Sequence, residues 1–466
     1  MSQAETETIC AIATAPGSSG VGIVRVSGPA AASISEQILG FTPIVRHAHF
    51  ADFLGENKQT IDQGIALFFA APHSFTGEDV LELQGHGGIY VLREILSRTL
   101  ELGARLASPG EFSERAFLNS KIDLLQAEAI ADLIESNSSQ AARSAVRTLQ
   151  GEFSNKIHEL LRQLVEARVH IEATIDFSDE DIDFIHDNKV RDALGGIQSA
   201  IEDTLAQARQ GALLKEGINV VIAGKPNAGK SSLLNALSGL DSAIVTDIPG
   251  TTRDLLSEEI NIDGLPVHIV DTAGIRLSDD LVEKEGLRRA QLALEKADQI
   301  LLIVDKSEAE EDVEKLLAPL VLLSGKAIDE LEYLKHTAIV YNKIDLLDRK
   351  QASLGTTIFK DRSLTTISLS AKKNTGVEIL REYLKEIIGF KPTEEGAFIA
   401  RQRHLIALNN AKNLIASATQ QLEADSGLEL IAEDLRFAQS QLGAITGEFT
   451  SDDLLGEIFS NFCVGK

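Results

Sequence analysis

One octapeptide restricts the folds open to this chain more than anything else in it. Gly224-Lys-Pro-Asn-Ala-Gly-Lys-Ser231 is a G-x-x-x-x-G-K-S, set inside VVIAGKPNAGKSSLLNAL at 220–237. A strand-like apolar run precedes it and helical spacing follows it, so the glycines occupy a strand-to-helix turn. Such a turn aims successive backbone N–H groups at a phosphate, and the helix behind adds its positive end. Lys230 is expected to reach the β- and γ-phosphates and Ser231 to ligate Mg²⁺, with Ala228, Gly229 and Ser232 lining the loop. Two features are unusual. The loop begins deep inside a chain of 466 residues, and Asn227 stands within it.

The surroundings carry the rhythm that a parallel sheet needs. INVVIAG, PVHIVDTAG, QILLIVD, TAIVYNKID and LTTISLSAKK alternate with helical stretches over 217–385. This is the pattern of βαβ units covered on both faces. Further boxes follow in order. TDIPGTTRD holds Thr246, Asp247, Ile248, Pro249, Gly250, Thr251 and Thr252, a polar loop suited to ordering around a γ-phosphate and Mg²⁺. The hydroxyl of Thr252 is placed to complete the metal shell. DTAG ends a strand: Asp271 is expected to hold Mg²⁺ through water and Gly274 to report the γ-phosphate, with Thr272 and Ala273 also among the GTP-binding residues. In NKID, Asn342 and Asp345 can hydrogen-bond a guanine edge while Lys343 lies along the base. Ser370, Ala371 and Lys372 can close over it. The ordered set selects GTP over ATP.

One position departs from small GTPases, which place a water-orienting glutamine after DTAG. Here the residue is Ile275, which offers neither acid–base nor hydrogen-bonding chemistry. Either hydrolysis is slow or help comes from elsewhere; SDDLVEKEG (278–286) supplies candidate carboxylates, although a solvated helix start is the ordinary account of such charges. Asn227 puts a side-chain carbonyl beside the phosphates, where a monovalent cation could stand in for an arginine finger.

The remaining sequence divides in three. Residues 1–118 are expected to be α+β, with strands in VGIVRVSG (21–28), GIALFFA (64–70) and DVLELQG (79–85) and a helix in YVLREILSRTLELG (90–103). SPGEFSERAFLNSK (108–121) opens a helix: Ser108 can cap it, Pro109 suits the first helical position and Glu111 completes a capping box. Helical spacing fills 121–216 and returns over 386–466. FSDEDIDF (177–184) interrupts it as a solvated loop, since it lacks the glycine and terminal glutamate of a calcium site. The domains are expected to be 1–118, then 119–216 with 386–466 as one discontinuous helical domain, with 217–385 inserted into it.

Composition narrows the setting. Asp and Glu number 70 against 44 Lys and Arg, a net charge of −26, which argues against non-specific nucleic-acid binding by the whole surface but leaves room for a local basic groove or a basic partner. No tryptophan and four tyrosines leave little for a base-stacking platform. Cys10 and Cys463 cannot form a disulfide framework, which points to a reducing cytoplasm. No apolar run approaches the roughly 20 residues of a membrane span, and MSQAETETICAIATAPG is not built like a signal peptide.

Together, GKPNAGKS, TDIPGTTRD, DTAG and NKID, with FTGEDVLELQGHGG (75–88), SPGEFSERAFLNSKIDL (108–124) and ITGEFTSDDLLGEIFSNFCVGK (445–466), resemble the MnmE family, also called TrmE, of bacterial tRNA-modification GTPases. The likeness spans nearly the whole chain. It implies a dimerising N-terminal domain similar to folate-binding domains, holding a 5-formyl-tetrahydrofolate or related one-carbon donor at Arg25, Glu82, Lys121 and the terminal Lys466. For Arg25 and Glu82 alone, a strand-surface salt bridge is the ordinary alternative. The resemblance further implies G domains that meet across K⁺, with ligands at Asn227, Thr246, Ile248 and Thr251, Mg²⁺ at Ser231 and Thr252, and a catalytic carboxylate at Glu283 acting through a bridging water. It implies a reaction at C5 of the wobble uridine of certain tRNAs, adding an aminomethyl or carboxymethylaminomethyl group. An FAD-dependent MnmG-type partner would share that reaction and carry the flavin. Cys463, in the FCVGK tail, is open to either a chemical role or a place as a small buried hydrophobe. Two competing functions are a regulatory GTPase switch of ribosome assembly and a one-carbon transferase with a vestigial G domain. The folate-type blocks and the tail disfavour the first, and the full set of boxes the second.

Overall fold

The computed structural model describes residues 7–136, 138–176, 188–239, 257–271, 281–307, 312–330, 332–347, 351–391, 398–424, 427–448, 452–460, 462 and 465. The segment 177–184 lies outside them. The chain forms two compact units, one of 1–135, 145–202 and 406–466, the other of 136–144 and 203–405.

The first unit is built on a six-stranded sheet. Its strands are β1 (Ile9–Ile12), β2 (Ser19–Ser27), β3 (His49–Leu54), β4 (Thr60–Phe69), β5 (Val80–Gly87) and β6 (Arg105–Leu106), in the order β3-β4-β5-β2-β1-β6. Period-two alternation divides its faces. Val24, Val26, Leu81 and Leu83 join Ile34, Ile38, Leu92 and Ile95 of two covering helices in one buried cluster. Arg25 and Ser27, at the intervening positions, belong to the opposite face, where Ile9, Ala11, Ala107 and Phe112 form a smaller cluster.

The helix after β6 begins later than its capping pattern suggested. It runs Glu111–Leu118, and its N-cap is Gly110 with φ 70°, not Ser108. A side chain at Gly110 would bring Cβ within 2.6 Å of the Phe459 carbonyl, so close packing dictates glycine there. Half of the expected box survives: the Glu111 carboxylate accepts from the Ser108 N–H at 2.8 Å.

Two helical segments far apart in sequence share this unit. Helix Glu152–Asp176 lies along helix Leu428–Thr446. Each carries a buried stripe at three- to four-residue spacing, Leu160, Leu164, Ala167 and Ile171 on the first and Ile431, Leu435, Ala438 and Leu442 on the second. The last helix, Asp452–Ser460, places Ile458 and Phe459, with Phe462, against Leu124, Ala127 and Ala131.

The second unit holds a seven-stranded sheet of β7 (Ile218–Ala223), β8 (Ser257–Ile262), β9 (Leu265–Asp271), β10 (Gln299–Asp305), β11 (Thr337–Asn342), β12 (Ser353–Phe359) and β13 (Arg362–Ser368). The order is β12-β13-β11-β10-β7-β9-β8, and the five inner strands are parallel. The middle strands are buried on both faces, Val220 and Ile222 in one cluster and Val221 and Ala223 in another. The two edge strands are antiparallel additions to the βαβ pattern. Their sequences, SEEINI and SLGTTIF, are too polar to stand out by hydropathy. Each is tied to its neighbour by a two-residue turn with positive φ, Asp263-Gly264 and Lys360-Asp361. Among the described residues no helix is long and apolar enough to cross a membrane.

Candidate functional site

Parallel strands gather their carboxyl ends on one edge, and the loops there form a crevice for ligands. β7 ends at Ala223, the loop 224–229 follows, and helix Lys230–Ser238 begins behind it. Two glycines are fixed by space as well as by φ. A Cβ at Gly224 (φ 146°) would stand 2.3 Å from the Ile303 carbonyl oxygen, and one at Gly229 (φ 95°) 2.3 Å from the Asn342 amide nitrogen. Lys230 is buried, and its Nζ donates to the carbonyls of Gly224 (2.9 Å) and Lys225 (3.0 Å). These bonds hold the ammonium within the loop, and the two carbonyls are neutral acceptors that a phosphate oxygen can replace at a gain. Ser231 and Ser232 are exposed on the first helical turn. Asn227 is exposed, has φ 65° and makes no hydrogen bond among the described residues. Its side-chain carbonyl is open to a cation. This cradle fits the phosphates of a nucleoside triphosphate, and the exposed Ser231 hydroxyl is free to face its magnesium ion.

On the base side, Asn342 ends β11 and is buried. Its amide donates to the Ala228 carbonyl at 3.0 Å, and its oxygen accepts from the N–H groups of Lys343 (2.8 Å) and Ala371 (3.0 Å). Asn342 therefore stitches the phosphate loop to the loop at 370–372. Its oxygen is engaged inside the protein, so reading of the base edge by an acceptor falls to Asp345. That carboxylate accepts from the Ser370 hydroxyl at 2.6 Å, a bond that holds Asp345 below the usual carboxylate range. Asp345 is thus ionised at neutral pH and can only accept, which suits the N1–H and amino group of guanine. Ser370 is itself fixed by a reciprocal backbone pair with Thr375, Ala371 is buried and Lys372 exposed. Lys343 pairs with Asp305 at 2.7 Å. Sequence reasoning passed over Asp305, whose only signal was its place at the end of QILLIVD.

The other expected residues are placed in part. Asp271 ends β9, next to β7, and Glu283 lies in helix Leu281–Lys296, but both side chains fall outside the described residues. So do Thr246, Asp247, Ile248, Pro249, Gly250, Thr251, Thr252, Thr272, Ala273, Gly274 and Ile275.

The first unit brings a second set together. Arg25 and Glu82 are direct cross-strand partners in β2 and β5, paired at 2.9 Å and both partly open to solvent. Arg25 also donates to the Gly465 carbonyl at 3.3 Å, 440 residues away, and its guanidinium lies 5.7 Å from the centre of the Phe112 ring. Gly465 is buried against the strand end: a Cβ there would meet the Ile12 carbonyl at 2.6 Å. Lys121 is exposed, with its stem beside Gly77. Cys463 and Lys466 lie outside the described residues, while Cys10 is buried, and burial pushes its thiol up. Beside Arg25 runs a chain of ion pairs that sequence reading did not single out. Arg105 pairs with Glu111 (2.7 Å), Glu111 with Arg115 (2.8 Å), and Arg115 with Glu78 (3.0 Å), whose carboxylate accepts from Ser27 (2.7 Å). Its one visible signal was the Glu111–Arg115 spacing of a helical turn.

Fold and site together define a P-loop nucleotide-binding protein whose nucleotide unit is carried within a longer, multidomain chain. Residues 8–121 match the family model described as the GTP-binding protein TrmE N-terminus, and residues 124–463 that of the MnmE helical domain. The chain is 54% identical to the tRNA modification GTPase MnmE of Hydrogenovibrio crunogenus over 460 residues, 99% of each chain. It is 54% identical to the protein of that name from Pseudomonas paraeruginosa over 464 residues, 100% of each, and 52% identical to that of Coxiella burnetii over 460 residues, 99% of each. The chain belongs to the MnmE family.

Proposed function

We propose that this chain is a GTP-hydrolysing enzyme of tRNA modification. One observation carries the nucleotide half: the ionised Asp345 stands on the same frame, through Ser370, Ala371 and Asn342, as the phosphate loop that cages Lys230. A guanine and a triphosphate would thus be read by one connected structure. Full-length similarity to proteins named for tRNA modification supports the other half.

In the finer form of this proposal, the product is a carboxymethylaminomethyl or aminomethyl group at C5 of the wobble uridine. An FAD-dependent partner of the MnmG type shares the reaction, and the flavin belongs to that partner. Ser231 and Thr252 would hold Mg²⁺. Asn227, Thr246, Ile248 and Thr251 would hold K⁺, and the residues forming the base and γ-phosphate contacts are those named in the boxes above. A bound K⁺ supplies positive charge beside the phosphoryl group, the role of an arginine finger. Glu283 would orient the attacking water, in place of the glutamine that Ile275 displaces. Arg25, Glu82, Lys121 and Lys466 would receive the folate donor. Arg25 and Glu82 suit its carboxylate and pterin edge, since both keep an open side. The chain would act in the cytoplasm as a homodimer, with the folate domain at 1–118, the helical domain at 119–216 and 386–466, and the GTPase domain at 217–385.

The test joins two measurements. Wobble uridines are mass-analysed in cells lacking this chain, and GTP turnover of the purified chain is compared in K⁺ and Na⁺. Loss of the modified uridine and turnover at least about tenfold faster in K⁺ are expected. Intact modification would remove the tRNA role, and equal rates in both salts would remove the role of Asn227.

A further inference from the structure

We infer that Asp305 is a positioning residue of the guanine site, fixing the Lys343 side chain as a ready platform for the base and so setting nucleotide affinity without touching the nucleotide. This rests on the guanine-nucleotide function proposed above.

The geometry begins in the sheet. Asp305 and Asn342 are register partners at the carboxyl ends of β10 and β11, and the Lys306 N–H donates to the Asn342 carbonyl at 2.9 Å. Asp305 is therefore held at the level of the base loop by the ladder itself. Its two carboxylate oxygens divide their work. Oδ1 accepts from the Ser307 N–H (3.0 Å) and hydroxyl (2.6 Å), which locks the carboxylate plane to its own turn. Oδ2 accepts from Lys343 Nζ at 2.7 Å. Asp305 is largely buried, with side-chain exposure of 14% against 32% for Lys343, so solvent screens the pair less than it would on an open surface. Burial pushes the Asp305 carboxyl up, but the bonds from Lys343 and Ser307 outweigh it and hold the group below its ordinary range.

Lys343 follows Asn342 in NKID and takes φ 64°, so its backbone is fixed by an uncommon local conformation. Its Cε lies 4.0 Å from where a Cβ on Gly229 would stand, which puts the stem alongside the phosphate loop. A free lysine stem samples many rotamers, and a ligand that uses it as a platform must first immobilise it. Asp305 does so beforehand. It also balances the ammonium charge, so the face offered to a base is chiefly methylene.

The full-length chain is made as Asp305→Asn, as Lys343→Met, which keeps the stem and removes the ammonium, and as the double variant. Binding of fluorescent GDP, steady-state GTP hydrolysis and thermal unfolding are measured on each. Asp305→Asn should raise the GDP Kd and the KM for GTP about five- to tenfold, with kcat within about twofold, because the phosphate cradle is untouched. In the Lys343→Met background, Asp305→Asn should add less than about twofold. An unchanged Kd for Asp305→Asn would overturn the inference. So would an equal loss in both backgrounds, since Asp305 would then not act through Lys343. Should Asp305→Asn fail to fold, Ser307→Ala unlocks the same carboxylate: a Kd raised about two- to threefold supports the inference and an unchanged one overturns it. A wild-type chain that binds no GDP would instead overturn the guanine function on which the inference rests.

Discussion

The nucleotide site and the Arg25 site are assembled in opposite ways. In the second unit, each functional group stands within a few residues of a strand end, and the parallel sheet aligns those ends. Lys230 follows β7, Asp305 closes β10, and Asn342 and Lys343 straddle the end of β11. In the first unit, Arg25, Glu82 and Gly465 come from two antiparallel strands and the chain's last residues. A parallel sheet converts short local motifs into a site, because every strand delivers its loop to the same edge. An antiparallel sheet delivers side chains from the middle of strands, and only the register decides which of them meet. A motif site should therefore fail sharply when one member is lost, whereas the cross-strand site should fail in its own chemistry and leave the nucleotide site working.

The largest expected effect tests the first half of that contrast. Lys230→Ala removes the only charge caged in the phosphate loop among the described residues, and GTP turnover should fall by about 10³-fold or more. Activity within about tenfold of wild type would show that other cations carry the phosphates. Asp345→Asn comes next. An amide offers one donor where guanine also donates, so affinity for GTP should fall by about 10²-fold while xanthosine nucleotides, with an acceptor at that position, gain. Competition binding with the two nucleotides decides it, and an unchanged preference would mean that Asp345 does not face the base.

Arg25→Ala sharpens the other half. It breaks a cross-strand pair and a contact to the C-terminal segment, but nothing in the second unit. Wobble-uridine modification should fall about tenfold, with GTP turnover within about twofold of wild type. Paired loss of both activities would erase the contrast and make the Arg25 pair a structural brace. Measuring modified uridine and free phosphate on the same preparation separates these outcomes.

The same contrast explains what could be seen in the sequence. The described part of the nucleotide site, the loop with Lys230 and the Asn342, Asp345 and 370–372 loops, was legible because it is written in contiguous boxes with strand and helix signals beside them. The edge strands β8 and β12 were missed because SEEINI and SLGTTIF lack the apolar runs of the inner strands; the Asp263-Gly264 pair was the available hairpin signal. Asn342 was visible as a site residue, yet its task as a clamp between Ala228 and Ala371 depends on loops 114 and 29 residues away. In the first unit, Arg25 and Glu82 entered through family resemblance, and no spacing rule pairs positions 25 and 82. Ser108 and Pro109 gave a sound helix-start signal, but the close approach of Phe459 to Gly110 moved the start by two residues. That contact joins residues about 350 positions apart, so no local pattern could announce it.

The smallest expected effect concerns the ion-pair chain beside Arg25, and its sign follows from Glu111. Burial pushes this carboxyl up, but Arg105 first, then the Ser108 N–H and Arg115, draw it down from 4.5 to about 2. A carboxyl depressed on folding stabilises the folded form above its unfolded value and loses that contribution as pH falls toward its folded value. Glu111 should therefore support the first unit fully near neutral pH and progressively less between about pH 4.5 and 2. Glu111→Gln should lower the unfolding temperature at pH 7 by about 2–4 °C, and the gap from wild type should close as pH drops through that window. Glu114, whose carboxyl is raised by burial and by the neighbouring Glu111 charge, titrates the other way and should recover toward its ordinary value in the same variant. The nucleotide site is the built-in control: Asp345 takes its depression chiefly from the Ser370 hydroxyl, within the second unit, so GDP affinity at pH 7 should be the same in Glu111→Gln as in wild type. A gap that persists unchanged to pH 3 would mean that the carboxylate's charge contributes nothing and that Glu111 acts through its shape and neutral hydrogen bonds.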